Sequence, residues 1–195
     1  VRNDALGVDI LAQGAAEQVQ ALIARLRSEA PPLARVEHVE AAATAPSAHC
    51  NGFAIAPSVE GAVATAIGAD VGVCPDCVGE LFDPEGRRWR HAFITCTHCG
   101  PRFTVTTRLP YDRSRTTLAP FALCSDCEAE YTQPADRRFH AETTCCPHCG
   151  PQLRLLREDG AEIPGDPITQ TLALLRQGAI VAIKGLGGFH LACDA

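Results

Sequence analysis

Eight cysteines stand in four C-x2-C pairs: Cys74 and Cys77, Cys96 and Cys99, Cys124 and Cys127, Cys146 and Cys149. In each half of the set, 18 residues separate the first pair from the second. A C-x2-C turn presents two thiolates to one metal ion, and two such turns complete a tetrahedral four-sulfur shell, which suits Zn²⁺. Two sites filled in this way are closed and structural, with no open position for water. A redox dithiol, a disulfide and a rubredoxin-type iron site are the competing uses of C-x2-C. Four pairs in a register-true repeat favour zinc over these. Pairing within each half follows from the duplication; interleaved pairing between halves satisfies the spacing as well, with the same ligands.

The duplication extends beyond sulfur. Shifting residues 74–101 by fifty superposes 12 of 28 positions, among them Asp76 on Asp126, Glu80 on Glu130, Pro84 on Pro134, Arg87-Arg88 on Arg137-Arg138, His98 on His148 and Gly100-Pro101 on Gly150-Pro151. This is an internal repeat. Gly100 and Gly150 are expected to permit tight turns that aim backbone N–H groups at sulfur. Cys145 adjoins Cys146, but the repeat and the x2 spacing both select Cys146, leaving Cys145 as a spare thiol. His98 and His148 lie inside the knuckles, where four sulfurs already complete each shell. The arginine pairs have the look of phosphate hooks, yet the module is near neutral, with nine arginines against ten acids between Cys74 and Pro151. They read better as ion-pair partners for Glu80 and Glu130, or as docking contacts to neighbouring domains.

Flanking elements must hold this region. Residues 1–45 read as strand, strand, helix, strand. Gly7–Gly14 alternates, Val19, Leu22, Ile23 and Leu26 recur at helical spacing after Glu17, Pro31 and Pro32 end that helix, and Leu33–Ala41 is extended. The pattern fits the back part of a small α+β sandwich. Residues 42–73 turn to Ala, Ser, Pro and Gly, a connector with a short ordered stretch around Phe53 and Ile55; His49 and Cys50 there have no partners at ligand spacing. After a polar turn, Pro167–Arg176 reads as a helix closed by Gly178, and AIVAIKGLGGFHLACDA opens with a buried-type strand.

With 17 basic and 23 acidic residues the chain carries a formal charge of −6. Each four-thiolate zinc site would make it about −2 more negative, so no nucleic-acid partner is expected. No run of 18 apolar residues and no amino-terminal leader pattern is present, so neither a membrane span nor a signal peptide is expected. A cytoplasmic location is expected, where 11 cysteines serve as metal ligands or thiols rather than disulfides. The absence of methionine and the start at Val1 fit a piece of a longer protein.

The run from Cys74 to Pro151, with its stretches THCGPRFT, LPYDR and DRRFHA, resembles the zinc-binding region of the HypF carbamoyltransferase family. Upstream, Val1-Arg2-Asn3 and the elements after it are similar to the carboxyl-terminal half of an acylphosphatase domain. Downstream, AIVAIKGLGGFHLACDA resembles the opening of that family's YrdC-like nucleotide-binding domain. The resemblance implies an α+β chain with four parts: a partial acylphosphatase-like (ferredoxin-like) sandwich over 1–45, a linker over 46–73, two small four-cysteine zinc modules over 74–151, and the start of an α/β YrdC-like domain over 165–195. It further implies carbamoyl phosphate and ATP with Mg²⁺ as substrates of the complete enzyme. The carbamoyl group would pass to the terminal cysteine of the partner HypE, on the way to the cyanide ligands of [NiFe]-hydrogenase. By the same resemblance Asn3 matches the asparagine that positions the attacking water in acylphosphatases. Lys184, the only lysine, stands before Gly185, Gly187 and Gly188 and suits phosphate or carbamoyl-adenylate binding. The phosphate-cradling loop of that family would lie before Val1, so this stretch alone is expected to be inactive. The competing reading is a stand-alone zinc scaffold without catalysis.

Overall fold

The structure, a computed structural model, describes all residues except 4–6, 32, 49–51, 58–66, 186 and 195. His49 and Cys50 lie outside the described residues. Two-residue strands β1 (Arg2–Asn3) and β2 (Val8–Asp9) pair antiparallel, with Asn3 opposite Val8. Helix α1 (Ala16–Ser28) follows with Glu17 in its first turn and Arg25 and Arg27 in its last, the charge order that suits the helix dipole.

The sequence pattern is too generous with strand here. Ladder pairing covers only Val8–Asp9 of Gly7–Gly14, and Leu33–Ala41 begins in a turn, with Ala34 N–H donating to the Pro31 carbonyl at 2.8 Å, and forms no ladder. An extended segment becomes a strand only when a neighbour supplies its hydrogen bonds. The edge of β1 is taken instead by the connector: the Val1 amino group donates to the Ala54 carbonyl at 2.9 Å, and Ala56 N–H donates to the Val1 carbonyl at 2.8 Å. The 33–41 segment is held by side chains, with Arg27 Nη2 donating to the Val39 carbonyl at 3.0 Å.

Two short helices begin the repeated modules, α2 (Pro75–Leu81) and α3 (Ser125–Thr132). The first cysteine of each module, Cys74 or Cys124, is the residue preceding the helix, and the next, Cys77 or Cys127, is buried in its first turn. Both helices leave by the same path. Arg90 (φ 56°) and His140 (φ 50°), fifty residues apart, take the left-handed conformation. Their N–H groups return to the Leu81 and Tyr131 carbonyls at 2.8 and 3.0 Å. Between the modules a loop hairpin pairs Thr106 with Thr116 and includes a 3-10 turn, Arg113–Arg115.

Helix α4 (Pro167–Arg176) is capped by Asp166, which accepts from Thr169 N–H at 2.8 Å, and ends at Gly178 with φ 82°. Strands β3 (Val181–Lys184) and β4 (Phe189–Ala192) form a hairpin. β3 is not the buried strand its composition suggests: Ala182, Ile183 and Lys184 are exposed, as are Phe189 and Leu191 opposite. Helix α4 packs against β3 of this hairpin.

The best-buried part of the chain is the repeat itself. Of the buried hydrophobic residues, Cys77, Cys96, Cys99, Cys127, Cys145 and Cys146 outnumber Ile94, Val105, Leu118, Ala141 and Leu155. The core is therefore built largely of sulfur.

Candidate metal centre

The eight cysteines converge as two groups, Cys74, Cys77, Cys96 and Cys99 in the first and Cys124, Cys127, Cys146 and Cys149 in the second. Pairing is thus within each module. In the first group Sγ–Sγ separations are 3.7 Å (Cys74–Cys96), 3.8 Å (Cys96–Cys99) and 3.5 Å (Cys77–Cys99). In the second they are 3.7 Å (Cys124–Cys146), 3.7 Å (Cys146–Cys149) and 3.6 Å (Cys127–Cys149). A tetrahedron with Zn–S bonds of about 2.3 Å has edges of about 3.8 Å, whereas a disulfide brings sulfurs to about 2.05 Å. Both groups have the dimensions of a tetrahedral four-sulfur zinc shell and neither is disulfide-bonded.

Cys145 stands apart, as the repeat requires. It occupies the place of Thr95 in the first module and is buried with its Sγ 3.4 Å from His91 Nε2. Burial, with the nearby Arg88 and Arg138 charges, pushes His91 down to about 4, so at neutral pH it faces Cys145 uncharged. His98 and His148 are exposed on the knuckles and ligate nothing.

At the first knuckle a backbone N–H does point at sulfur, as expected, but the glycines are not the donors. The Gly100 and Gly150 N–H groups donate to the Val71 and Cys146 carbonyls, not to sulfur. The N–H groups that do reach sulfur include that of His98, 3.3 Å from Cys96 Sγ, and that of Cys77, which donates to the Cys74 thiol. The glycines are required by close approach instead. Gly100 has φ +91°, and a Cβ there would overlap the Thr95 side chain; one on Gly150 would lie 2.7 Å from Cys145 Cβ and Sγ. Gly100→Ala is therefore expected to cost about 2–3 kcal/mol. Gly160→Ala, at φ +83° but in open space, should cost only about 1 kcal/mol. Chemical denaturation of the metal-loaded variants would check the ordering, and equal costs would contradict it.

Charge placement was only half visible in the sequence. Glu80 and Glu130 do pair with the arginines, but across modules. Arg87 and Arg88 reach Glu130, with Nη2–Oε2 distances of 2.6 and 2.5 Å, and Arg137 and Arg138 reach Glu80 at 2.6 and 2.5 Å. The same arginines touch metal-site sulfur in the opposite module. Arg87 donates through Nη1 and Nη2 to Cys127 Sγ at 3.4 Å each, and Arg137 donates to Cys77 Sγ at 3.3 and 3.4 Å. Arg88 Nε and Arg138 Nε bind the Cys145 and Thr95 carbonyls at 2.9 and 3.1 Å, again equivalent positions. Burial alone would raise the Glu130 carboxyl; the hydrogen bonds from Arg88 and Arg87 outweigh it and hold the group at about 2. Glu80 is lowered in the same way by Arg138 and Arg137.

Three residues that the motif reading passed over lock the linker to the second module. Arg113 donates through Nη1 to the Glu142 and Thr144 carbonyls at 2.8 Å each, and through Nη2 to the Phe121 carbonyl at 2.7 Å. The Glu142 carboxyl accepts from Arg113 N–H at 2.7 Å and from the Tyr131 hydroxyl at 3.0 Å. Arg113 sits inside LPYDR, so its position was marked, but no spacing rule pairs it with Glu142.

Burial pushes the Glu142 carboxyl up to about 7, against the lowering effect of the Tyr131 and Arg113 hydrogen bonds. Its folded pKa exceeds its unfolded value, so the protonated form is the one the fold favours. That stability is fully present below about pH 4.5 and is lost as pH rises through 7. The loss is about 3 kcal/mol. Thiolate protonation acts in the opposite direction, so the prediction is a difference: Glu142→Gln should gain on the parent chain by about that amount between about pH 5 and 8. Parallel unfolding profiles over this range would refute it.

Asn3 and Lys184 lie in separate two-stranded sheets, and the structure brings neither to the cysteine groups. Lys184 is exposed, with Nζ 5.1 Å from the Phe189 ring centroid.

Comparison with known proteins agrees with this arrangement. The HypF finger family model matches residues 73–106 and 123–156, and the acylphosphatase family model matches residues 1–55. The chain is 61% identical over its whole length to a protein of Cupriavidus necator named carbamoyltransferase HypF2, covering 24% of it. It is 53% identical to carbamoyltransferase HypF of Rhodobacter capsulatus, covering all of the chain and 26% of that protein. Among solved structures, T. kodakarensis HypF matches all of the chain and 25% of its own length, with TM-score 0.83 at 44% identity. Full-length HypF in a phosphate- and nucleotide-bound form matches 93% of the chain and 24% of its own length, with TM-score 0.81 at 37% identity.

Proposed function

Since the chain belongs, over the roughly one quarter of its curated relatives' length that it spans, to the HypF carbamoyltransferase family, we propose that it is the metal-stapled joint of such an enzyme. Each four-cysteine group holds one Zn²⁺, and the double module spaces an acylphosphatase-like part from a YrdC-like part that begins at α4. The observation that carries this reading is the placement of the cross-tied modules against both flanks. Phe53 of the connector meets Phe139 with ring centroids 5.8 Å apart, and Arg90 Nη1 donates to Thr169 Oγ1 of α4 at 3.2 Å. A joint held by two zinc ions and reciprocal salt bridges fixes the distance between two reaction steps.

In the complete enzyme those steps would be acylphosphatase-type hydrolysis of carbamoyl phosphate, aided by Asn3, and adenylation of the carbamate with ATP and Mg²⁺ near Lys184. The carbamoyl group would then pass to the terminal cysteine of a HypE-type partner, toward the cyanide ligands of [NiFe]-hydrogenase. Thiolate-bound zinc suits a reducing compartment, which supports a cytoplasmic location. No helix among the described residues is long and apolar enough to cross a membrane.

A hybrid tests the reading. This chain would replace the corresponding quarter of the R. capsulatus protein, and transfer of labelled carbamoyl to the HypE-type acceptor would be measured with ATP present. Retained transfer supports the joint. A folded, zinc-loaded hybrid without transfer favours the stand-alone scaffold.

A further inference from the structure

We propose that each metal site is completed by the arginine pair of the other module, so that the two sites fill and empty as a single unit; this rests on the reading that both four-cysteine groups hold zinc. A zinc ion bound by four thiolates carries about −2. At the first site the compensating charges are Arg137 and Arg138, and at the second they are Arg87 and Arg88, each delivered from the opposite module. The guanidinium groups do more than neutralise: Arg137 donates to Cys77 Sγ and Arg87 to Cys127 Sγ, the hydrogen-bonded outer support that tunes a metal-bound thiolate.

Emptying one site therefore has a cost at the other. When the first site opens, α2 no longer holds Cys77 and Glu80 in place, and Arg138, only 3% exposed, is left as a buried cation without its carboxylate. Arg138 also spans from Glu80 to the Thr95 carbonyl, so the second module's loop between α3 and its second knuckle loses its anchor. The mirror argument runs through Arg88, 2% exposed, between Glu130 and the Cys145 carbonyl. Tandem fingers that fold independently have no such reciprocal ties.

The populations of zinc species read this directly. Two equal, independent sites at half-loading leave half of the molecules with one zinc. A coupling of about a hundredfold in affinity reduces that species to about a tenth, and unequal independent sites raise it instead. The chain would be titrated with a chelator under reducing conditions and followed by native mass spectrometry. Two zinc ions at the start are the premise, and finding fewer would overturn the zinc reading rather than the coupling. A singly loaded species near one tenth at half-removal supports the coupling; one near half or above overturns it.

A second measurement locates the effect. In Arg137→Gln/Arg138→Gln, thiol alkylation during chelation would be mapped by peptide mass. Earlier labelling of Cys74, Cys77, Cys96 and Cys99, the module that was not altered, is the expected result. Earlier labelling confined to Cys124, Cys127, Cys146 and Cys149, with the first four cysteines protected as in the parent, would mean that the arginines serve only their own module.

Discussion

Stripping metal from the reduced chain is expected to unfold residues 74–151 together, the largest effect foreseen for any single treatment. Among the described residues, the buried apolar side chains other than cysteine are Ile94, Val105, Leu118, Ala141 and Leu155. At about 1.5–3 kcal/mol for each large side chain, they contribute on the order of 10 kcal/mol. Ordering the backbone costs about 1–2 kcal/mol per residue, so this core cannot hold the region by itself. Structural zinc supplies about 10–16 kcal/mol per site in comparable shells, and here the two cysteine groups that would hold it lie where the core would otherwise be. Removing it also leaves eight thiols, five of them buried, and four arginines facing no anion but Glu80 and Glu130. Hydrogen exchange gives the sharpest test. The N–H groups of Cys99, Thr117, Thr144 and Gly150, all donated within the repeat and its linker, should lose protection together on chelation. Protection that survives complete removal of metal, with the cysteines kept reduced, would show that packing alone carries the fold.

The dominance of sulfur explains why the site was legible in the sequence while much of the fold was not. Metal ligation imposes a local rule, two thiolates three residues apart, and the duplication repeats it in register. Spacing therefore singled out the eight cysteines that converge in two groups and set Cys145 apart from them. Helices α1 and α4 were legible for a similar reason: caps, prolines and a closing glycine act within a few residues. What was not legible depends on contacts between distant positions. The exposure of β3 and the lack of a ladder over residues 33–41 depend on which neighbour is available, and composition does not record that. The crossing of the arginine pairs is the clearest case. The sequence shows that Glu80, Glu130, Arg87-Arg88 and Arg137-Arg138 are duplicated, but cis and trans pairing obey the same repeat. Only the fold chooses between them.

That choice sets the second large expectation. Glu130→Ala should cost about 3–5 kcal/mol, the penalty for removing one partner of a buried ion pair, because Arg88 beside it is almost wholly buried. Glu80→Ala should cost somewhat less, since Glu80 is the more exposed carboxylate of the two. Removing Glu162 from its exposed pair with Arg154 should change stability by no more than about 1 kcal/mol. Acid gives the same information with a fixed sign. The Glu130 carboxyl is depressed in the folded chain, to about 2, so its contribution is present above pH 4.5 and is lost as pH falls toward 2. Denaturant unfolding of the zinc-loaded variants measures all three costs, and a Glu130→Ala cost no larger than that at Glu162 would overturn the assignment. A triple replacement separates the ion pair from the sulfur contacts. In many proteins, exchanging a whole buried ion pair for apolar side chains is neutral or stabilising. Here Arg87 and Arg88 also donate to Cys127 Sγ, so Arg87→Met/Arg88→Met/Glu130→Met leaves a zinc-bound thiolate without donors. Hydrogen bonds to charged groups contribute about 1.5–3 kcal/mol each, so the triple variant should stay below the parent by at least about 2 kcal/mol. Full recovery would mean that the arginines serve Glu130 alone, and the chelator resistance of the second site would then be unchanged.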